Sequence, residues 1–183
     1  TAIKQLVFDE KKIAAKDLLT ALQNNFKGMP FVRKALMECP KYGNENEAAD
    51  AMLLTVHEHV CNAARDSVKS TIMHSYLVVI INNDANTTLG RLTSATADGR
   101  MSGVYLANAN NPQGGADKNG LTSMLNSIVK PPIHYHAGCV QNLKLAKEMF
   151  SEKMLSKTKS LLNTYFQKGG AQLMITVVSR DEM

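Results

Sequence analysis

Two short runs constrain the fold of this chain more than anything else in it. Tyr76-Leu77-Val78-Val79-Ile80-Ile81 and the segment from Ala171 to Val178 are largely apolar and rich in β-branched residues on both faces. Successive strand residues point to opposite sides, so a strand of this kind must be covered twice. That requirement fits a parallel sheet or an α/β barrel, with helices on one side and other side chains on the other. Helical segments supply the cover. Lys16 to Phe26 carries Leu18, Leu19, Leu22 and Phe26 at helical spacing, with Gly28 as a stop. Phe31 to Glu38 follows, opened by Pro30 and closed by Pro40. Asn44 or Asn46 is placed to cap a long helix reaching about Ser70, with Glu45, Glu47 and Asp50 near its positive end. Met52, Leu53, Val56 and Val60 give that helix an apolar stripe.

Leu121 to Val129 predicts a short helix stopped by Pro131-Pro132, and Ser151 to Phe166 another, stopped by Gly169-Gly170. Ile3 to Phe8 is compatible with a short strand. Asn82 to Gly120 reads as one long turn-rich stretch, of the kind that carries function or structural punctuation. Within it, Leu92 to Thr96 is a polar strand-like run able to present hydroxyls to a pocket. The alternation of helices and buried strands gives the α/β class, in one segment covering 1–183. The chain starts without Met and closes on Asp181-Glu182-Met183, which reads as the beginning of a helix. Both ends are therefore expected to be cuts in a longer polypeptide.

Charge and composition narrow the function classes. The formal net charge is +5, yet the lysines are scattered among acids, Trp is absent and aromatics are only 5%. No basic stripe alternates with stacking rings, so no nucleic-acid role is expected. Three widely spaced cysteines, Cys39, Cys61 and Cys139, form no Cys-x-x-Cys pair and imply a reduced, cytoplasmic protein. Thr1 to Phe8 holds no signal-peptide pattern, and Tyr76 to Ile81 is too short to cross a bilayer, so no membrane is expected.

The residues that carry chemistry elsewhere do not assemble a recognisable centre. His57 and Cys61 share a helix face, but His57-Glu58-His59-Val60-Cys61 lacks the His-Glu-x-x-His order of a zinc helix. If their segment is a strand, His134 and His136 share one face of it, as structural or pocket-lining imidazoles. Cys139 has no neighbouring cation or helix start to activate it, so an inert thiol is expected. Asn111 to Gly120 lacks the order of a phosphate-binding loop and reads as a tight structural loop. Ser94, Ser127 and His134 form no recognisable triad. No catalytic residue and no metal ligand is assigned. Thr93, Ser94, Thr96, His134 and His136 are the expected pocket-lining residues. Asp98, Gly99 and Arg100 are the expected structural turn: an aspartate before glycine suits a tight turn, and an arginine fork suits anchoring at several points.

Three ordered segments carry a resemblance. The first holds Leu22, Asn25-Phe26, Gly28, Arg33, Pro40-Lys41-Tyr42-Gly43-Asn44 and Asp50. The second runs from Gly90 to Gly103 through Thr96-Ala97-Asp98-Gly99-Arg100. The third holds Asn111-Pro112, Asp117, Gly120 and Ser127 to Lys130. In this order they resemble the glycyl radical enzymes, the group of pyruvate formate-lyase and the glycerol-dehydratase-like lyases. Leu161 to Val178, with Tyr165-Phe166 and Gly169-Gly170, is similar to the helix and strand ahead of that family's glycyl loop. Ala97 departs from the family, which usually has Pro before Asp-Gly-Arg, and a looser turn is expected there.

The resemblance implies part of a ten-stranded α/β barrel. It also implies a glycyl radical that draws a hydrogen atom from a barrel-loop cysteine, whose thiyl radical attacks the substrate. The glycine lies in an Arg-Val-x-Gly loop, a motif this sequence does not contain, and the cysteine lies upstream of these segments; Cys139 follows the Asp-Gly-Arg segment and does not match it. By the same resemblance the segment alone binds no cofactor and is inactive. The parent protein needs an activating enzyme that uses S-adenosylmethionine and an iron–sulfur cluster, acts on a small organic substrate, and is a homo-oligomer. The stretch from Ala107 to Gln141 favours an arylacetate decarboxylase or a fumarate-adding enzyme. A diol, glycerol or hydroxyproline dehydratase is the first alternative, and a non-catalytic remnant or scaffold the second.

Overall fold

The computed structural model describes residues 1–81 and 84–179. Asn82-Asn83 and the expected helix start at 181–183 lie outside the described residues. The chain forms two compact units, Thr1–Lys41 with Asn83–Ala107, and Tyr42–Asn82 with Asn108–Met183.

The first unit is helical. Lys4–Asp9 is a π-helix, where the sequence suggested a strand. The Glu10 N–H reaches the Gln5 carbonyl at 2.8 Å, and Leu6 is its buried residue while Phe8 stays exposed. One apolar anchor per turn serves a helix, whereas a strand here would have no partner for its backbone. Helix α1 (Ala15–Gln23) buries Leu18 and Ala21, and α2 (Pro30–Glu38) starts on its proline and buries Val32 and Leu36. Between them the chain turns through positive φ at Asn25, Phe26 and Gly28. Helix α4 (Ala85–Leu92) occupies part of the stretch expected to be irregular. It crosses the 104–106 segment at Gly90, where a Cβ would come within 2.6 Å of the Tyr105 Cα. Leu92 ends this helix, and Thr93 to Thr96 follows without a strand.

The second unit holds a three-stranded parallel sheet in the order β1-β2-β3: β1 (Val78–Ile80), β2 (His136–Ala146) and β3 (Gln172–Val178). The central strand is the one the sequence did not announce, and β1 is shorter than the apolar run around it. Val78 pairs with His136 and Val79 with Gly138, so Ala137 is an extra residue in β2, a bulge. Beyond it Cys139, Gln141, Leu143 and Leu145 are buried on one face, and Val140 is buried on the other. Leu143 and Leu145 pack against Met124, Leu125 and Ile128 of α5 (Gly120–Ile128) and Tyr165 of α6 (Glu152–Gln167). Leu173 and Ile175 of β3 join that face, whereas Val79 and Met174 remain about half exposed on the other. The other face is thus only partly covered within this unit, with Val140 buried there, as part of a barrel would leave it.

Helix α3 (Glu47–Ser67) is capped as its sequence requires: the Asn46 Oδ1 accepts the Ala49 N–H at 3.1 Å. Its stripe does not face inward, however. Met52, Val56 and Val60 are exposed, and Ala49, Asp50 and Cys61 are the buried residues. No helix among the described residues is long and apolar enough to cross a membrane.

Candidate functional site

In the second unit, two of the sequence segments that carried the resemblance interlock. The Tyr42 hydroxyl donates to the Asn110 Oδ1 at 3.1 Å. Asn110 is buried and ties two further elements: its Nδ2 donates to the Ile128 carbonyl at 3.0 Å, and its N–H to the Val140 carbonyl at 3.1 Å. Burial drives the Tyr42 hydroxyl far above its ordinary titration range, so it serves as a donor at any working pH. Gly43, at φ +90°, lies against Pro112, whose Cγ would be 2.7 Å from an added Cβ. The Asn44 Oδ1 accepts the N–H groups of Lys118 and Asn119 at 2.7 and 3.0 Å, and its Nδ2 donates to the Ala116 carbonyl at 2.7 Å. Asn111 to Gly120 is therefore clamped as a structural loop.

Next to this clamp sits a buried acid. The Asp50 Oδ2 accepts from the Lys130 Nζ at 2.5 Å and from the Ser127 Oγ at 3.2 Å. The Asp50 side chain is 2% exposed, and among the described residues its Oδ1 has no hydrogen-bond partner. Ser127 also accepts the Glu45 N–H at 2.7 Å. Ser127 is thus one link of a chain of hydrogen bonds, with no imidazole among its partners.

The Asp98-Gly99-Arg100 segment lies in the first unit and closes on itself. The Asp98 Oδ1 accepts the Arg100 N–H at 3.1 Å and the Thr96 hydroxyl at 2.5 Å. Arg100 is buried, and its guanidinium donates to the carbonyls of Ser94, Met101 and Val104 and to the Thr96 Oγ1. The Thr93 hydroxyl donates to the Leu89 carbonyl at 2.7 Å. The hydroxyls of Thr93 and Thr96 are thus engaged within the loop, and the Ser94 side chain is exposed. Gly99, at φ +94°, packs on Met37 of α2.

The two imidazoles assigned to one face part company. Ile133–Tyr135 is a turn of 3₁₀ helix, which leaves His134 exposed, while His136 opens β2 and is buried. His136 packs edge-on against His57 of α3, with ring centroids 5.4 Å apart. His57 and Cys61 do share a helix face, with the Nε2 and Sγ 3.7 Å apart. Among the described residues no group of three or more His, Cys, Asp or Glu is arranged to hold a metal ion. The Cys139 thiol is pushed up to about 11 by burial, a resting protonated group.

Sequence reasoning passed over Tyr42, Asn110 and Lys130 as network residues. The signal was available in Asn44 beside Gly43 and in Asn110-Asn111 ahead of Pro112, amides that favour side-chain closure of turns.

Two family descriptions match this chain in order, pyruvate formate lyase-like over residues 1–90 and glycine radical over residues 106–183. The chain belongs to the glycyl radical enzymes. Trans-4-hydroxy-L-proline dehydratase of Clostridioides difficile is 28% identical over 99% of this chain and 23% of its own length. Isethionate sulfite-lyase of Bilophila wadsworthia is 35% identical over 68% of this chain and 15% of its own. The B12-independent glycerol dehydratase structure from Clostridium butyricum superposes with a TM-score of 0.91 at 30% identity, over 99% of this chain and 23% of that one. The chain thus spans about a quarter or less of the glycyl radical enzymes it matches. Its mixed α/β architecture is part of their α/β barrel.

Proposed function

We propose that this chain is a wall of the barrel in a glycyl radical lyase that eliminates a hydroxyl or similar leaving group from a small organic substrate. The observation that carries the reading is the end-to-end likeness to dehydratases, which reaches 99% of the chain in both sequence and structure. A glycyl radical supplies a hydrogen-atom abstraction that generates a cysteine thiyl. No glycine of this sequence stands in an Arg-Val-x-Gly motif, and burial raises all three of its thiols, outweighing Lys41 at Cys39 and Arg65 at Cys61, so no radical step is assigned to these residues. Their part is to hold shape and exclude water, which a reactive thiyl requires. The Tyr42–Asn110 clamp, the Asp50–Lys130 pair and the Arg100 loop each fix backbone at several points. The expected pocket-lining role of Thr93, Ser94, Thr96, His134 and His136 remains part of this proposal. So do a cytoplasmic location, a homo-oligomeric parent and a partner that installs the radical using S-adenosylmethionine and an iron–sulfur cluster.

The test is anaerobic activation of the parent protein with such an activating enzyme, S-adenosylmethionine and a reductant. An electron paramagnetic resonance spectrum then reports the glycyl doublet. Products are analysed after incubation with glycerol, propane-1,2-diol, trans-4-hydroxy-L-proline and isethionate. A dehydrated or desulfonated product supports the reading. Carbon dioxide from 4-hydroxyphenylacetate, or an adduct with fumarate, would replace it with the decarboxylase or fumarate-adding alternative. A parent protein that never acquires the doublet would be a remnant or scaffold.

A further inference from the structure

His136 is 7% exposed, and among the described residues neither ring nitrogen makes a well-formed hydrogen bond, although the Gly138 backbone interacts with the ring. Buried polar groups are nearly always well paired, so packing is the main hold on this ring. Helix α3 faces it with His57, edge-on at 5.4 Å and 84°. The same helix carries Cys61, beside His57, and Arg65, whose guanidinium lies 5.6 Å above the Tyr135 ring; Glu58 adjoins His57. The 3₁₀ turn contributes His134 and Tyr135, whose rings are 4.6 Å apart. Val78 of β1 is the strand partner of His136, and Cys139 lies on the same face of β2. None of these groups accepts a hydrogen bond from the ring.

We propose that His136 is a proton-sensitive latch: uptake of one proton by its ring drives α3 from the start of β2 and frees the 133–138 segment. An imidazolium in this position would be a buried cation with only the weaker Gly138 backbone interaction to offset it, beside His57. Burial first, and His57 second, hold the His136 titration below the ordinary 6.5; the Gly138 backbone opposes them more weakly. Burial lowers His57 as well. The closed form therefore binds fewer protons than the open one. The latch is fully closed above the ordinary imidazole value and weakens as pH falls below it.

Two mass-spectrometric readings on the intact protein test this between about pH 8 and about pH 5. Deuterium exchange at the imidazole C2 gives the His136 midpoint. Amide exchange, corrected for intrinsic rates, reports opening of 133–140 and of the facing turns of α3. The expected result is a midpoint below 6.5 and severalfold faster amide exchange on the acid side. In His57→Gln the midpoint should move up. In His136→Asn, which does not titrate in this range, the acid-side acceleration should vanish. A His136 midpoint at or above the ordinary value, or acceleration that persists in His136→Asn, overturns the proposal. If His136→Asn does not fold, the native midpoint and its response to His57→Gln decide.

Discussion

Asn111 engages the backbone of Asn142 with both ends of its amide. The Nδ2 donates to the carbonyl at 2.7 Å and the Oδ1 accepts the N–H at 2.9 Å. Strand β1 ends at Ile80, and these bonds satisfy β2 beyond that point, together with the Asn110 N–H on the Val140 carbonyl. Asn111→Ala removes both and should cost about 2–3 kcal/mol of unfolding free energy. Asn111→Asp keeps an acceptor for the Asn142 N–H and should lose less. Urea unfolding of the two variants checks the order.

Lys130→Met leaves the Asp50 carboxylate buried with Ser127 as its remaining partner. A loss of about 3 kcal/mol is expected, the low end for buried pairs, because the Lys130 side chain is 33% exposed. Adding Asp50→Asn to that variant should recover part of the loss. A double-mutant cycle in which the two effects simply add would contradict the pairing.

Arg100→Lys keeps the charge and removes the fork. The planar guanidinium reaches the carbonyls of Ser94, Met101 and Val104, which one ammonium cannot match. The expected outcome is about 2 kcal/mol of destabilisation, with faster amide exchange confined to the 93–104 loop.

Gly43→Ala combines strain at φ +90° with a clash against Pro112. A cost of about 1–3 kcal/mol is expected. Gly28, also at positive φ, has open space around its Cβ position, so Gly28→Ala should cost less. Equal melting temperatures for the two variants would show that the Pro112 contact is unimportant.

Cys139 should resist alkylation in the folded protein. Burial raises its thiol to about 11, so the nucleophilic thiolate is scarce until pH approaches that value. Iodoacetamide at mildly alkaline pH should label it only after denaturation. Rapid labelling of the native protein would show an open path to the thiol.

What the sequence made legible depended on the locality of each signal. Pro30, Asn46 and Gly169 punctuate helices through their own backbone, so α2, α3 and α6 were visible. Strand β2 was not, because its bulge breaks the alternation and Gly138, Asn142 and Lys144 interrupt its apolar pattern. Helix α4 was hidden by Thr87, Thr88 and Gly90, poor helix formers whose place is set by packing against 104–106. The outward turn of Met52, Val56 and Val60 is a tertiary outcome: the helix registers on Asp50 and Cys61 instead. The motif segments were readable as a set, but their joining required bonds such as Tyr42 to Asn110, 68 residues apart.

The extra residue at Ala137 has a consequence for any attempt to shorten or align this strand. Because of it, His136 and Cys139, three positions apart, lie on the same side of β2. Removing Ala137 would restore strict alternation and turn the histidine to the opposite side, with everything downstream left in register. One exposed alanine therefore determines whether the imidazole of the strand is inside or outside.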